Sequence, residues 1–238
     1  MSSAKTTQNS CECILALDLP GRDEALQFLD ELGDSLDWVK IGLQLFCKLG
    51  PDFIHEVADR NYRIFLDLKL YDIPNTVASA VSSLGSLPVD LLTLHTSGGS
   101  EMMQAAAEAR DAQREPLKLL GVTVLTSFDQ AGIEEIGWHS PIADQVQDLA
   151  RLGVKAGLDG LVCSPLELAA LRRELGFNPL LVTPGIRPAG SARDEQKRVQ
   201  TPESAAAAGA SFIVVGRPIL RSATPAQSAR DIRKALSN

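Results

Sequence analysis

This chain of 238 residues is poor in aromatics (5%), cysteine (4) and histidine (3). So few cysteines exclude a small disulfide scaffold. Cys11 and Cys13 lie two apart, on one face of an expected strand, but neither Cys47 nor Cys163 supplies the second close pair that a zinc site needs. Free thiols in a reducing cytosol are therefore expected. His55, His95 and His139 show no metal-ligand spacing. Positive charge is also in deficit, with 23 Lys plus Arg against 30 Asp plus Glu and a net charge of −7. That balance excludes a general affinity for nucleic-acid phosphates or anionic membrane, and it leaves room for one local basic pocket. No run approaches the length of a membrane span. The opening MSSAKTTQNS lacks the apolar core of a secretory signal, so a cytoplasmic location is expected. Finally, no G-x-G-x-x-G follows the first apolar run, which weakens a dinucleotide-binding sheet.

What the sequence does contain is a regular alternation. Hydrophobic residues make up 45% of the chain, enough for a sizeable core. Short apolar runs at 13–18, 37–41, 63–68, 90–95, 117–125, 159–163, 179–183 and 211–215 read as strands. Between them lie amphipathic stretches that read as helices: Gly21 to about Leu32, Pro51 to about Arg60, Pro74 to about Leu84, 101–112, 140–156, 165–175, 202–209 and 225–236. Pro74 and Pro141 suit first helical turns. The strands are almost continuously apolar, as in a parallel sheet buried on both faces. Eight strand–helix units predict an α/β fold, a single (β/α)8 TIM barrel over 12–238 behind a loose N-terminal tail, residues 1–11. An open doubly wound sheet is the structural alternative.

In such a barrel the chemistry sits at the carboxyl ends of the strands. There the sequence places Asp18, Lys40, Asp67, Lys69, Asp72, Thr126, Arg187, Gly216 and Arg217. Charges inside apolar strands are costly unless paired, so their gathering at one rim is informative. The central segment is FLDLKLYDIPNT, 65–76, in which Asp67 and Lys69 point to the same side of a strand. With Asp72 they form D-x-K-x-x-D, and Lys40 reaches the same mouth from the neighbouring strand. An alternating acid–amine cluster keeps a lysine protonated and aimed, as a general acid requires. The plainer reading is an ion-pair network at the rim, with Asp72 capping the helix that Pro74 begins.

A second cluster lies in TPGIRP (183–188) and VVGRPI (214–219). Loops after the last two strands often bind phosphate in this fold, glycines admit close backbone approach, and arginines offer forked donors. The polar segment between Arg187 and Thr201 is long enough to fold over a bound phosphate; the alternative is a solvated loop whose arginines pair with acids such as Asp194. His95 ends the fourth strand, where it either touches substrate or packs as a core histidine. Trp38 and Trp138 read as packing residues, and the Ala run 205–208 as a close-packed helix surface.

From about Ile14 to Leu236 the chain resembles the orotidine 5′-phosphate decarboxylases, of the compact type common in bacteria. The resemblance rests on ALD (16–18), VKIG (39–42), DLKLYDIPNT (67–76), VTVLTS (122–127), TPGIRP (183–188), DEQKRVQTP (194–202) and VVGRPI (214–219), in matching order and spacing. Leu70 and Tyr71 stand where relatives often carry an aromatic and a histidine. The resemblance implies conversion of orotidine 5′-phosphate to uridine 5′-phosphate and carbon dioxide, the final step of pyrimidine nucleotide synthesis, with no metal and no organic cofactor. It implies Lys69 as proton donor to C6, Asp67 beside the departing carboxylate, and a charged network of Lys40, Asp67, Lys69 and Asp72. It implies a homodimer in which Asp72, Ile73 and Thr76 reach the partner's site. It further implies Asp18 and Lys40 at the ribose hydroxyls, Thr126 at the pyrimidine, and Arg187, Gln196, Gly216 and Arg217 at the phosphate. Two rival readings are a magnesium-dependent decarboxylase of a sugar-acid phosphate in the same barrel group, and a non-catalytic barrel that senses a nucleotide or sugar phosphate.

Overall fold

A computed structural model describes residues 11–113, 116–188 and 200–236. Eight parallel strands close on themselves: β1 (Glu12–Ala16), β2 (Trp38–Gly42), β3 (Arg63–Leu70), β4 (Leu91–His95), β5 (Lys118–Val122), β6 (Gly160–Val162), β7 (Leu180–Thr183) and β8 (Phe212–Val215). Each pairs with the next, and β8 pairs with β1. The fold is the expected (β/α)8 barrel.

The helices are α1 (Arg22–Leu32), α2 (Leu43–Ala58), α3 (Pro74–Leu84), α4 (Gly99–Asp111), α5 (Gln130–Glu135), α6 (Ile142–Lys155), α7 (Leu168–Leu175), α8 (Pro202–Ala207), α9 (Arg217–Leu220) and α10 (Pro225–Ala235). Pro74 begins α3, where its missing N–H leaves no bond unmade. Pro141 stands just before α6 instead of inside its first turn. Two helical runs meet within α2: the first begins at Leu43, and Gly50, with φ 68°, a left-handed conformation that glycine adopts without strain, separates it from the expected helix that starts at Pro51. Thr201 caps α8 by accepting from the Ser204 N–H, and Ala205 behind it is fully buried.

Period-two alternation sorts each strand's side chains into two cores. Outward residues such as Leu15, Val39, Ile41, Ile64, Leu66 and Leu92 pack under the helices. Inward residues Ile14, Trp38, Phe65, Leu91, Leu120, Val182 and Phe212 fill the lower barrel. Trp38 is buried, meets Phe212 edge-on at 5.0 Å between ring centres, and carries the Arg63 guanidinium 4.0 Å above its ring. Its Nε1–H donates to Glu12. Trp138 packs against the outer core, so both tryptophans are packing residues, as expected.

One inward step above this plug, the same register turns polar: Trp38 is followed by Lys40 and Phe65 by Asp67. The apolar lower half therefore forms the floor under the charged upper half. At the opposite rim, the buried Arg172 donates to the carbonyls of Gly176, Pro179 and Gly209 and to Ser211 Oγ, tying α7 to the starts of β7 and β8. All four cysteines are free thiols, Cys13 and Cys163 buried, Cys11 half-buried and Cys47 exposed. No described helix is long and apolar enough to cross a membrane. Most of the expected tail, residues 1–10, lies outside the described residues.

Candidate active site

A cavity of about 610 Å³ opens at the carboxyl ends of the strands, within the range of small-molecule sites. Asp18, Lys40, Asp67, Lys69, Thr126, Arg187, Gly216 and Arg217 all line it. These eight residues, drawn from separate strand ends, thus meet around one cavity.

The acid–amine array runs across β1, β2 and β3. Lys40 Nζ lies 3.1 Å from Asp18 Oδ1 and 3.8 Å from Asp67 Oδ2. Lys69 Nζ donates to both Asp67 oxygens, at 2.8 and 2.9 Å. Asp18 is half exposed, whereas the Asp67 side chain is only 14% exposed and Lys40 12%. Burial alone would push the Asp67 carboxyl up; the charges of Lys69 and Lys40, with hydrogen bonds from Lys69 and Thr93, outweigh it and hold the group below the ordinary carboxylate range. Asp67 is therefore an anion at neutral pH, flanked by two ammonium groups.

The backbone that carries this pair is irregular. Between the pairings Leu66–Leu92 and Leu70–Leu94 the register shifts, so Asp67, Leu68 and Lys69 face the single residue Thr93. Lys69 adopts φ 52°, left-handed and uncommon for a residue with a side chain. The bulge brings Lys69 back onto Asp67 where a straight strand would carry it a further step along the rim. Thr93, fully buried, accepts from the Lys69 N–H at 2.8 Å and donates to Asp67 Oδ1 at 3.0 Å.

At the other side of the cavity, Gly185 has φ 79°, which permits the turn that presents Arg187. The chain returns to pair Ile186 with Gln200, and the Arg187 N–H donates to the Gln200 carbonyl at 3.0 Å. Gln196 and the remainder of the polar segment, 189–199, lie outside the described residues. Arg221, one turn beyond Arg217, also lines the cavity; its i+4 spacing from Arg217 was the available signal. Gly42 is a second residue whose role the sequence left open. A Cβ there would lie 3.0 Å from Lys40 Nζ and 3.8 Å from Asp18 Oδ1, so its bareness makes room for the Lys40 ammonium.

Asp72, Ile73 and Thr76 are exposed and do not line this chain's own cavity. Asp72 does not cap α3: the cap position is Ile73, and Asp72 Oδ1 accepts only the adjacent Ile73 N–H. Ile73 and Tyr71 are among the most exposed apolar residues, at 65% and 62%. His95 is half-buried against the Tyr71 ring, 5.5 Å between centres, and is not among the cavity-lining residues. Burial and the nearby Lys69 charge lower its pKa, with Asp67 opposing. Among the described residues, no group of three or more His, Cys, Asp and Glu side chains is placed to hold a metal ion.

A sequence model of the orotidine 5′-phosphate decarboxylase / HUMPS family matches residues 12–232. The chain belongs to this family. Within it, the orotidine 5′-phosphate decarboxylase of Opitutus terrae is 51% identical over 229 residues, covering 96% of this chain and 100% of that protein. The enzyme of the same name from Gluconobacter oxydans is 47% identical, over 94% of this chain and 97% of its own length. Among solved structures, the orotidine 5′-phosphate decarboxylase of Lactobacillus acidophilus superposes with a TM-score of 0.86 at 38% identity, covering 96% of this chain and 100% of that one.

Proposed function

We propose that this chain decarboxylates orotidine 5′-phosphate to uridine 5′-phosphate and carbon dioxide, with Lys69 as the proton donor. The observation that carries the reading is the Lys69–Asp67–Lys40–Asp18 array lining one cavity with Arg187 and Arg217. Full-length relatives of the same name support it.

Cleavage of the bond from C6 to the carboxylate releases carbon dioxide and leaves the electron pair on C6 as a vinyl anion. Such charge demands fixed, preorganised stabilisation in a site closed to water. The Lys69 ammonium supplies it and then gives its proton to C6, becoming a neutral amine. Asp67 holds the Lys69 ammonium by both oxygens until that moment, and Lys69 and Lys40 together keep Asp67 ionised. Lys40 and Asp18 offer a donor and an acceptor to the ribose hydroxyls, and Thr126 a hydroxyl to the pyrimidine. Arg187, Gln196, Gly216 and Arg217 form the phosphate end, where binding energy remote from C6 orients the ring. No metal or organic cofactor takes part, and residues 12–238 act as one catalytic domain in the cytoplasm.

The functional unit is a homodimer. Asp72, Ile73 and Thr76, which stand off this chain's cavity, complete the charged network and the pocket of a second copy, with Asp72 approaching that copy's Lys69. The exposure of Ile73 and Tyr71 supports burial against a partner.

The test is to follow orotidine 5′-phosphate by its absorbance, with and without a chelator. Turnover that survives chelation is the expected result. Loss of activity restored by magnesium would favour the metal-dependent relatives, and tight uridine 5′-phosphate binding without turnover would favour a sensor.

A further inference from the structure

We infer that Thr93 is a positioning residue of the reaction: its hydroxyl joins the main chain of Lys69 to the carboxylate of Asp67 and thereby fixes the proton donor. The inference rests on the reading of Lys69 as that donor.

Four contacts close a ring. The Lys69 N–H donates to Thr93 Oγ1 at 2.8 Å, Thr93 O–H donates to Asp67 Oδ1 at 3.0 Å, and both Asp67 oxygens accept from Lys69 Nζ. Both ends of the Lys69 residue are therefore held through one buried hydroxyl. The bulge explains why a hydroxyl is needed. With three residues of β3 facing one of β4, the Lys69 N–H has no ladder carbonyl opposite it, and Thr93 Oγ1 takes that place. The left-handed backbone at Lys69 costs energy on its own and persists because its surroundings hold it. A side chain with one donor and two acceptor sites suits the task, because it must accept from one partner while donating to the other.

The bridge also acts on charge. Asp67 is faced by Lys69 on its own strand, by Lys40 on β2 and, more distantly, by His95 on β4. The Thr93 bond is a neutral addition to those charges, aimed at the oxygen that also receives Lys69. Its removal frees that oxygen to rotate and lets the ammonium drift from the position that meets C6.

Thr93→Val keeps the shape and deletes the hydroxyl, Thr93→Ser keeps the hydroxyl, and Thr93→Ala covers the case in which valine does not fold. Amide exchange at Lys69, read by NMR without substrate, is expected to quicken roughly tenfold in the valine or alanine variant and to stay slow in serine. With orotidine 5′-phosphate, kcat should fall roughly tenfold to a hundredfold while KM holds. The acid limb of the pH–rate profile should move upward, and serine should restore both. A folded valine or alanine variant with wild-type kcat and acid limb would overturn the inference, as would equal losses in serine and valine. A wild-type chain that leaves orotidine 5′-phosphate untouched would defeat the proposed function, and the Lys69 exchange rates would still decide the bridge.

Discussion

Lys69 Nζ sits astride Asp67, 2.8 Å from one carboxylate oxygen and 2.9 Å from the other. A two-oxygen grip fixes the direction of the ammonium, and Lys69 lines the cavity. Removing the ammonium should therefore abolish chemistry and spare the fold. Lys69→Ala is expected to lower kcat by at least about 100- to 10,000-fold, with circular dichroism and melting close to wild type. Turnover within tenfold of wild type would end the proton-donor assignment.

Asp72 and Lys69 should complement each other between chains. Mixing inactive Lys69→Ala and Asp72→Asn proteins and allowing subunits to exchange produces mixed dimers with one intact site each. At equal amounts, two-fold symmetry predicts recovery of about a quarter of wild-type activity. No recovery, with exchange confirmed by tagged subunits, would mean that each chain builds its site alone.

Arg217 lines the cavity beside Gly216 and Arg187. A charge-assisted phosphate contact contributes about 1.5–3 kcal/mol, so Arg217→Ala should reduce kcat/KM for orotidine 5′-phosphate by about 10- to 100-fold. The nucleoside without phosphate should be turned over equally poorly by both proteins. Equal proportional losses on the two substrates would remove Arg217 from the phosphate end.

Gly42 has φ −99°, which any residue adopts, so alanine there meets no backbone strain. Its Cβ does meet the Lys40 ammonium at 3.0 Å. Because that ammonium ends a flexible side chain, Gly42→Ala should leave the melting temperature nearly unchanged and displace Lys40 from Asp18. The expected result is a KM raised about tenfold, the scale of one weakened charged contact. A KM equal to wild type would show that Lys40 accommodates the methyl.

His95 provides a pH test. Its folded pKa is lowered, first by burial and then by Lys69. As pH falls below about 6.5, the unfolded chain takes up the imidazole proton before the folded one does. Stability from this group is therefore present above that value and is lost as pH falls toward the folded pKa. Urea midpoints at pH 7, 6 and 5 should drop more steeply for wild type than for His95→Gln. Parallel curves would show that His95 titrates alike in both states.

The strands were legible because each is a compact apolar run between turn residues, and eight of them allow few architectures. The rim was legible for a related reason: Lys40 and Asp67 lie within apolar strands, and Asp18 and Arg217 just past the ends of others, where an unpaired charge is expensive. Other features leave no such trace. The helical run from Leu43 was hidden because Gly50–Pro51 marks the start of the helix that follows it, and nothing before that junction announces another. Thr93 lies in LLTLH, where a lone hydroxyl reads as a tolerated core threonine; its meaning depends on a register shift in a different strand. Neither the shift nor the positive φ of Lys69 has a compositional signature, since no glycine marks the bulge. Asp72 carried two readings, helix cap and partner contact, and only the geometry at Ile73 removed the first.

The closure of β8 onto β1 has a consequence for assembly. An open sheet offers a row of unpaired amides and carbonyls along which a second chain can add a strand. Among the described residues the eight strands close on one another, so the barrel offers no open strand edge of that kind. The homodimer proposed above is therefore not one of strand addition: its contacts fall on loops and helices, where shape and charge select the partner.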